Sequence, residues 1–209
     1  MSSHWYLAAA ALWCASGCAI NAMMKDVPPT FAELAQPITL VAPSPEDSTV
    51  VLIRDPPLDS LISSQALTVI LENGHALGQV LPHSFTVAHI APGTHSLVQG
   101  SPEVGYREWC AQSSADFRSG KVYLFNVDTM TLVEPDDSIG RRLSKLSYLT
   151  SDAPRGTKEV RAQWESYWQG CIKSAANRES ELRKTEYFKK SQSAAAAAGM
   201  DGLTIPGPP

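Results

Sequence analysis

The feature that most constrains the fold is the dipeptide Asn73-Gly74, which lies between two apolar segments. An Asn-Gly pair tolerates the positive φ angles of a type I′ turn, which joins neighbouring antiparallel strands. The flanking segments, residues 66–72 and 75–81, are rich in β-branched and other apolar residues. The sequence therefore predicts a β-hairpin at this point.

Further strands are predicted where short apolar runs end at turn residues. They cover residues 49–55, 84–90, 95–99, 121–127 and 129–134, with a polar loop before residue 121. Short strands at this spacing are typical of an antiparallel β-sandwich or a partly open barrel of about seven strands. The predicted fold is thus mainly β, over residues 49–134, with α-helix following it towards the C-terminus.

Composition limits the number of domains and the class of partner. The chain has 209 residues, of which 44% are hydrophobic, and this favours one domain with appendages over two domains. The formal net charge is −4. That value gives no electrostatic case for nucleic acid, which requires a clustered basic face.

A helical arm is predicted over residues 135–190. Asp136-Asp137-Ser138 is predicted to start a helix that runs to Tyr148. Acidic side chains at a helix start are favoured by the helix dipole, and we prefer this role of the two aspartates to a catalytic one. A second helix, from about Thr157 towards Lys190, carries an apolar stripe of Val160, Trp164, Trp168, Cys171, Ile172 and Ala175. Either the stripe docks on the β body, or Trp164 and Trp168 anchor a partner.

The N-terminus has the order of a secretory signal peptide over residues 1–17. A polar start precedes an apolar run from Leu7 to Trp13, and small residues follow. Two alternatives stay open: an uncleaved membrane helix over residues 5–24, since that stretch has no charge and is long enough to span a bilayer, and a secreted protein without an anchor.

The residues Ala15-Ser16-Gly17-Cys18 resemble the lipobox of bacterial lipoproteins, although Ala15 stands where that pattern prefers leucine. The resemblance implies that Cys18 is lipidated and becomes the first mature residue, and its acyl chains would anchor the protein in a membrane. Ala19 follows in place of the Asp that retains such proteins at the inner membrane. The implied location is the periplasmic side of the outer membrane, with inner-membrane anchoring or a free periplasmic protein as alternatives.

Two segments outside the domain are predicted to lack regular structure. Residues 18–48 carry five prolines and no sustained periodicity, which predicts an extended tether. Fully stretched, it would reach about 100 Å. Residues 191–209, with five consecutive alanines, are predicted to form a disordered tail.

Two cysteines remain once Cys18 is acylated and Cys14 is removed with the signal. In an oxidising compartment such a pair is more often bridged than free, so a disulfide between Cys110 and Cys171 is predicted to staple the helix onto the β body. Buried free thiols are the alternative, because sequence does not show whether the two Cβ atoms meet.

Four histidines, at positions 75, 83, 89 and 95, fall inside the β body. Imidazole clusters bind zinc or copper, and His89 and His95 are the weak candidates here. Their spacing does not enforce convergence, and no cysteine or carboxylate lies at ligand spacing. No metal and no other cofactor is therefore predicted.

The order of motifs in the β body resembles a family of uncharacterised bacterial lipoprotein domains. The resemblance covers Thr49 to about Glu134 and rests on Arg54-Asp55, the Asn73-Gly74 hairpin with Gly78, the turn Pro92-Gly93-Thr94-His95 and the strand Gly120 to Phe125. It implies a small β-sandwich. It implies no activity, since that family has none established.

The predicted function is a non-enzymatic, lipid-anchored module that binds or helps to assemble a component of the envelope. Its expected partners are the membrane, through the lipid, and an unknown envelope protein. The sequence contains no Gly-x-Ser-x-Gly, Ser-x-x-Lys, His-Glu-x-x-His or phosphate-loop motif. An envelope enzyme, such as a hydrolase or a glycan-processing enzyme, and a small-ligand or metal binder are the alternatives.

Overall fold

The computed structural model describes residues 31–32, 38–40, 45–55, 66–101, 110–149, 165–176, 184 and 193–206. Twelve strands lie within these ranges. They are β1 Phe31–Ala32, β2 Ile38–Leu40, β3 Ser48–Arg54, β4 Leu67–Leu71, β5 Ala76–Val80, β6 Ser84–Ile90, β7 Gly93–Gly100, β8 Ala111–Phe117, β9 Val122–Asn126, β10 Thr131–Leu132, β11 Ser147–Leu149 and β12 Leu203–Ile205. The helices are α1 Ile139–Leu143, the helical residues 165–176, here called α2, and α3 Ala194–Ala198.

Two sheets pack face to face around the main core. The larger has the strand order β1-β11-β6-β3-β9-β10 and the smaller the order β5-β4-β7-β8. Alternate residues of facing strands fill the space between them, for example Leu52 and Phe125 from one sheet with Val69 and Leu97 from the other. The predicted mainly β sandwich with C-terminal helix is thus confirmed.

The predicted hairpin forms, but its turn is not the predicted type I′, because only Gly74, and not Asn73, has a positive φ. Leu71 and His75 close a three-residue loop instead, with the N–H of Gly74 donating to the carbonyl of Leu71 at 2.9 Å. β4 and β5 pair antiparallel, and Gly74 between them has a φ of +82°. The side-chain oxygen of Asn73 accepts a hydrogen bond of 2.9 Å from the backbone N–H of His75. The turn is therefore set by local sequence. β6, whose bounds equal the predicted residues 84–90, begins three residues after β5.

The sheets differ from the prediction mainly in strand direction. Between Ser48 and Leu132 the structure describes eight strands, β3 to β10, where about seven were predicted. Two pairs, β3 with β9 and β11 with β6, are parallel rather than antiparallel. All seven residues of β3 are buried, because this central strand faces the main core on one side and a second apolar layer on the other. β8 lies where a polar loop was predicted, since its Ala-Gln-Ser-Ser-Ala-Asp-Phe sequence forms a strand by pairing along β7.

Both outer faces of the sandwich are covered by the chain itself. α2 packs its buried residues on Ile70 and Val98 of the smaller sheet. On the larger sheet, Ile139 and Leu143 of α1 and Leu203 and Ile205 of β12 cover the side opposite the core. Among the described residues, no helix is long and apolar enough to cross a membrane.

Three predicted boundaries are wrong where the structure describes them. Within the predicted tether, β1 pairs with β11 and β2 pairs with β12. The predicted helix from Ile139 ends at Leu143, and Tyr148 enters β11, where its ring stacks on that of Phe85 with the centroids 5.1 Å apart. In the predicted disordered tail, residues 193–206 contain α3 and β12, because Leu203 and Ile205 alternate with an exposed Thr204 and bury against the larger sheet.

Candidate functional site

A cluster of charged side chains lies at one end of the larger sheet, which we call the Arg54 end. β3 ends at Arg54, with Asp55 next; β6 begins beside it, since Ser84 pairs with Arg54, and His83 precedes Ser84. The backbone N–H of Val127 donates to the carbonyl of Ile53, which brings the β9–β10 turn with Asp128 to the same place. Four side chains from three segments therefore meet here: Arg54, Asp55, His83 and Asp128.

Arg54 is the buried member of the cluster. Its side chain is 1% exposed, and its Nε donates a hydrogen bond of 3.1 Å to Oδ1 of Asp128, whose side chain is 28% exposed. Burial raises the pKa of Asp128, the nearby Arg54 guanidinium acts in the opposite direction, and the charge of Asp55 adds to the increase. A buried guanidinium is costly without a partner, so Asp128 holds the end of β3 and the β9–β10 turn together.

Asp55 and His83 form the exposed half of the cluster. Nδ1 of His83 lies 2.9 Å from Oδ1 of Asp55, with the side chains 46% and 42% exposed. A carboxylate in this position fixes the imidazole ring, so that Nε2 is offered to solvent when Nδ1 carries the proton. An imidazole oriented in this way is suited to accepting a hydrogen bond or a proton from a bound molecule.

The backbone at His83 supports a role for its side chain. Its φ is +53°, a left-handed conformation that costs a non-glycine residue about 1 kcal/mol or more. The turn is closed by Ser84, whose Oγ accepts from the N–H of Leu81 at 2.8 Å and donates to its carbonyl at 2.7 Å. Glycine would suit this position better, and strain of this kind is concentrated at functional sites.

A second imidazole–carboxylate pair lies at the opposite end of the sandwich, which we call the Ile90 end because β6 finishes there. Nδ1 of His95 lies 3.1 Å from Oε1 of Glu72, and Nε2 lies 3.0 Å from the carbonyl of Ala91. Partial burial opposes ionisation of Glu72, but hydrogen bonds from its own backbone, from His95 and from the N–H of Ser96 together lower its pKa. Both ring nitrogens of His95 have protein partners, so this pair is structural.

The predicted metal candidates, His89 and His95, have separate partners. His89 is exposed on β6, with Nδ1 3.4 Å from Oγ1 of Thr49, whereas His95 belongs to the pair with Glu72. Within the described part of the chain, no group of three or more His, Cys, Asp or Glu side chains is placed to hold a metal ion. The sequence reasoning missed His83, because its partner Asp55 is 28 residues away and only folding brings them together.

The structure joins Cys110 and Cys171 in a disulfide, with an S–S distance of 2.08 Å. The bridge ties α2 to the smaller sheet, and Tyr167 adds to it, since its hydroxyl accepts from the N–H of Ser101 at 3.1 Å. A Cβ at Gly100 would lie 2.8 Å from that hydroxyl oxygen. Glycine is therefore required for α2 to approach the sheet so closely.

The stripe on α2 is part of the protein's own core. Trp168 is only 7% exposed and packs with Tyr167 and Cys171 against Ile70 and Val98. Of the two alternatives, Trp168 follows the preferred one, docking on the β body, because the smaller sheet covers it. Trp164, the signal peptide and the lipidation candidate Cys18 lie outside the described residues.

Asp136 has a local structural role. Its Oδ1 accepts hydrogen bonds from the N–H of Ser138 at 2.7 Å and from the hydroxyl of Ser138 at 2.5 Å. These bonds, the hydroxyl first, lower the pKa of Asp136. Its carboxylate thus stabilises the turn before α1 through local hydrogen bonds, and no acidic side chain lies in the first helical turn, where the predicted dipole interaction would act.

No protein-family model matches the chain, and no curated protein matches it.

Proposed function

We propose that the protein is a lipid-anchored lipoprotein on the periplasmic side of the bacterial outer membrane, where it binds an envelope component without catalysing a reaction. Export from the cytosol is supported by the disulfide between Cys110 and Cys171, which are 1% and 0% exposed. Disulfides persist in oxidising compartments and are rare in the cytosol. A buried bridge that fixes an entire layer of the fold suits a protein that folds after export.

The anchor in this proposal is Cys18, in the sequence Ala15-Ser16-Gly17-Cys18. Acyl chains contribute about 0.8 kcal/mol for each buried methylene, so two or three of them give anchoring that does not readily reverse. With residue 19 as Ala rather than Asp, the lipobox resemblance favours the outer membrane.

The binding surface in this proposal is the Arg54 end. The broad faces of the sandwich are covered by α2 on one side and by α1 with β12 on the other. Asp55 and His83, both exposed and the latter with a left-handed backbone, are then the groups best placed to recognise a polar partner.

Substitution of the two N-terminal cysteines tests the anchor. Cys18→Ser is expected to release the protein from membranes, whereas the matched control Cys14→Ser is expected to leave it membrane-bound. Fractionation of the envelope and mass spectrometry of the N-terminus report the outcome. A Cys18→Ser protein that stays in the membrane would support an uncleaved helix over residues 5–24 instead.

Cross-linking in intact envelopes tests binding at the Arg54 end. Wild type should capture a specific envelope component, and His83→Gly and Asp55→Asn should reduce its recovery. His89→Gln, at an exposed histidine near the other end of β6, is the matched control and should not. Equal recovery from all three variants would exclude the Arg54 end as the binding surface.

The Asp55–His83 pair also favours one second candidate, an envelope hydrolase in which His83 acts as a general base. Purified protein incubated with isolated cell-wall glycan and peptide would distinguish the two. Product formation by the wild type that His83→Gln abolishes would establish an enzyme. If the wild type forms no product but still captures the envelope component, the binding module is supported.

A further inference from the structure

The loop at the tip of the β4–β5 hairpin carries the chain's only asparagine–glycine pair. Residues 72–75, which include Asn73 and Gly74, are all exposed. The amide carbon of an asparagine, Cγ, is open to attack by the backbone nitrogen of the residue that follows, which closes a five-membered succinimide ring. Whether the hairpin tip undergoes this reaction depends on how the structure presents Cγ of Asn73 and the nitrogen of Gly74.

Gly74 leaves the attacking nitrogen unobstructed. It has no side chain, and no heavy atom lies within 4 Å of the point where a Cβ would stand. Its φ is +82°, in a region that glycine enters and leaves at little cost. The backbone at the tip can therefore rotate as the ring closes, while the paired strands on either side stay in place.

The structure also activates the carbon that is attacked. Oδ1 of Asn73 accepts a hydrogen bond of 2.9 Å from the backbone N–H of His75. This bond turns the side chain towards the residues that follow, and it stabilises the negative charge that develops on Oδ1 when the nitrogen adds to Cγ. The N–H of Gly74 donates to the carbonyl of Leu71 at 2.9 Å, so a base in solvent removes its proton when this bond opens.

We propose that Asn73 is a site of spontaneous covalent modification in the folded protein. The nitrogen of Gly74 forms a bond with Cγ of Asn73, the bond from Cγ to Nδ2 breaks, and the amide leaves as ammonia with the proton from Gly74. Water then opens the succinimide at one of its two carbonyls. The product is aspartate when the new N–Cγ bond breaks, and isoaspartate when the original backbone C–N bond breaks.

Both products change the Ile90 end. The neutral amide becomes a carboxylate, which adds one negative charge to a chain with a formal net charge of −4. The new charge lies directly after Glu72, whose carboxylate pairs with His95. Isoaspartate also inserts a methylene group into the main chain of the loop. Water is the only co-reactant, so the reaction requires neither acylation nor a partner.

Asn126, at the Arg54 end, provides an internal control. Its Oδ1 likewise accepts a backbone hydrogen bond, from the N–H of Thr129 at 3.0 Å. The residue that follows, Val127, is fully buried, and its N–H donates to the carbonyl of Ile53 at 2.9 Å. The attacking nitrogen at this position is thus fixed between strands and carries a β-branched residue, so Asn126 should persist.

Ageing of the purified full-length protein at neutral and mildly alkaline pH tests the proposal. Peptide mass spectrometry follows each asparagine, and methylation by an isoaspartyl carboxyl methyltransferase counts isoaspartate. Asn73 is expected to convert at least about tenfold faster than Asn126, whose neighbour Val127 is stiff and branched. The rate should rise with pH, because a base removes the proton of Gly74. Equal rates at the two positions, or aspartate without isoaspartate, would overturn the proposal.

Two variants assign the reaction to its atoms. Asn73→Ser has no amide to lose and should remove both the added charge and the methylation. Gly74→Asp keeps Asn73 and tolerates a left-handed backbone, but its side chain crowds the attacking nitrogen and should slow the conversion. Thermal unfolding confirms that each variant folds. Methylation that persists in Asn73→Ser, or an unchanged rate in Gly74→Asp, would contradict attack by the residue 74 nitrogen on Asn73.

Discussion

The two ends of the sandwich both carry an imidazole paired with a carboxylate, yet they use it differently. At the Ile90 end, both nitrogens of His95 have partners within the protein, Glu72 and the carbonyl of Ala91. At the Arg54 end, His83 uses Nδ1 for Asp55, and its backbone is held at a φ of +53°. The His95–Glu72 pair thus stabilises the fold, whereas the His83–Asp55 pair is kept despite local backbone strain and leaves the second ring nitrogen of His83 facing solvent.

The largest expected effect comes from breaking the buried ion pair at the Arg54 end. Arg54→Met should lower the free energy of unfolding by about 3 kcal/mol, because it leaves the partly buried Asp128 without its partner. Lys121→Met, which removes a cation paired with the exposed Asp201 at the Ile90 end, should cost less than about 1 kcal/mol. Urea denaturation measures both losses of stability. Equal losses would show that the two ion pairs do not differ in their contribution to stability.

His95 is expected to contribute to stability through both of its ring nitrogens. His95→Ala should lower the free energy of unfolding by about 1 to 2 kcal/mol, because the ring donates to the carboxylate of Glu72 or to the carbonyl of Ala91, and to both when each nitrogen carries a proton. Thermal and urea unfolding provide the measurement. An unchanged midpoint would show that this pair is not structural.

His83 should behave in the opposite way when it is replaced by glycine. His83→Gly removes the exposed pair with Asp55, which contributes little to stability, and places glycine at a left-handed backbone position that it adopts without strain. The free energy of unfolding should therefore stay unchanged or rise by up to about 1 kcal/mol. Capture of the envelope partner should fall in the same variant. A marked loss of stability would assign His83 to the fold and not to binding.

The smallest effects concern pH, and they should have opposite signs at the two ends. The lowered pKa of Glu72 means that its contribution to stability is present above about pH 4.3 and is lost as the pH falls through its folded value. The raised pKa of Asp128 means that stability decreases as the pH rises from about 3.9 through its folded value. The two carboxylates therefore change the dependence of the unfolding free energy on pH in opposite directions.

Unfolding free energies of each variant at about pH 3 and pH 6 give these slopes. Compared with wild type, Glu72→Gln should lose less stability on acidification, and Asp128→Asn should lose more. Each variant is compared with itself at the second pH, so any change in its absolute stability cancels. Slopes that change in the same direction would contradict the opposite roles of the two carboxylates.

The sequence by itself determined the parts of this fold that depend on neighbouring residues. The hairpin at Asn73-Gly74 and the bounds of β6 follow from turn chemistry and from apolar residues within a few positions of one another. The stripe on α2 follows from its 3.6-residue period, although Tyr167 had to be added to it.

Only the tertiary structure decided the elements that are stabilised from a distance. β8 has a polar sequence and becomes a strand because β7 supplies its hydrogen bonds, and β2 and β12, too short for a recognisable period, pair across more than 160 residues of chain. The candidate site is of the same kind: Arg54 and Asp128 are 74 residues apart, and Asp55 and His83 are 28 apart. Local sequence does not predict such pairs, because the two residues of each pair become neighbours only when distant strands pair in the sheet.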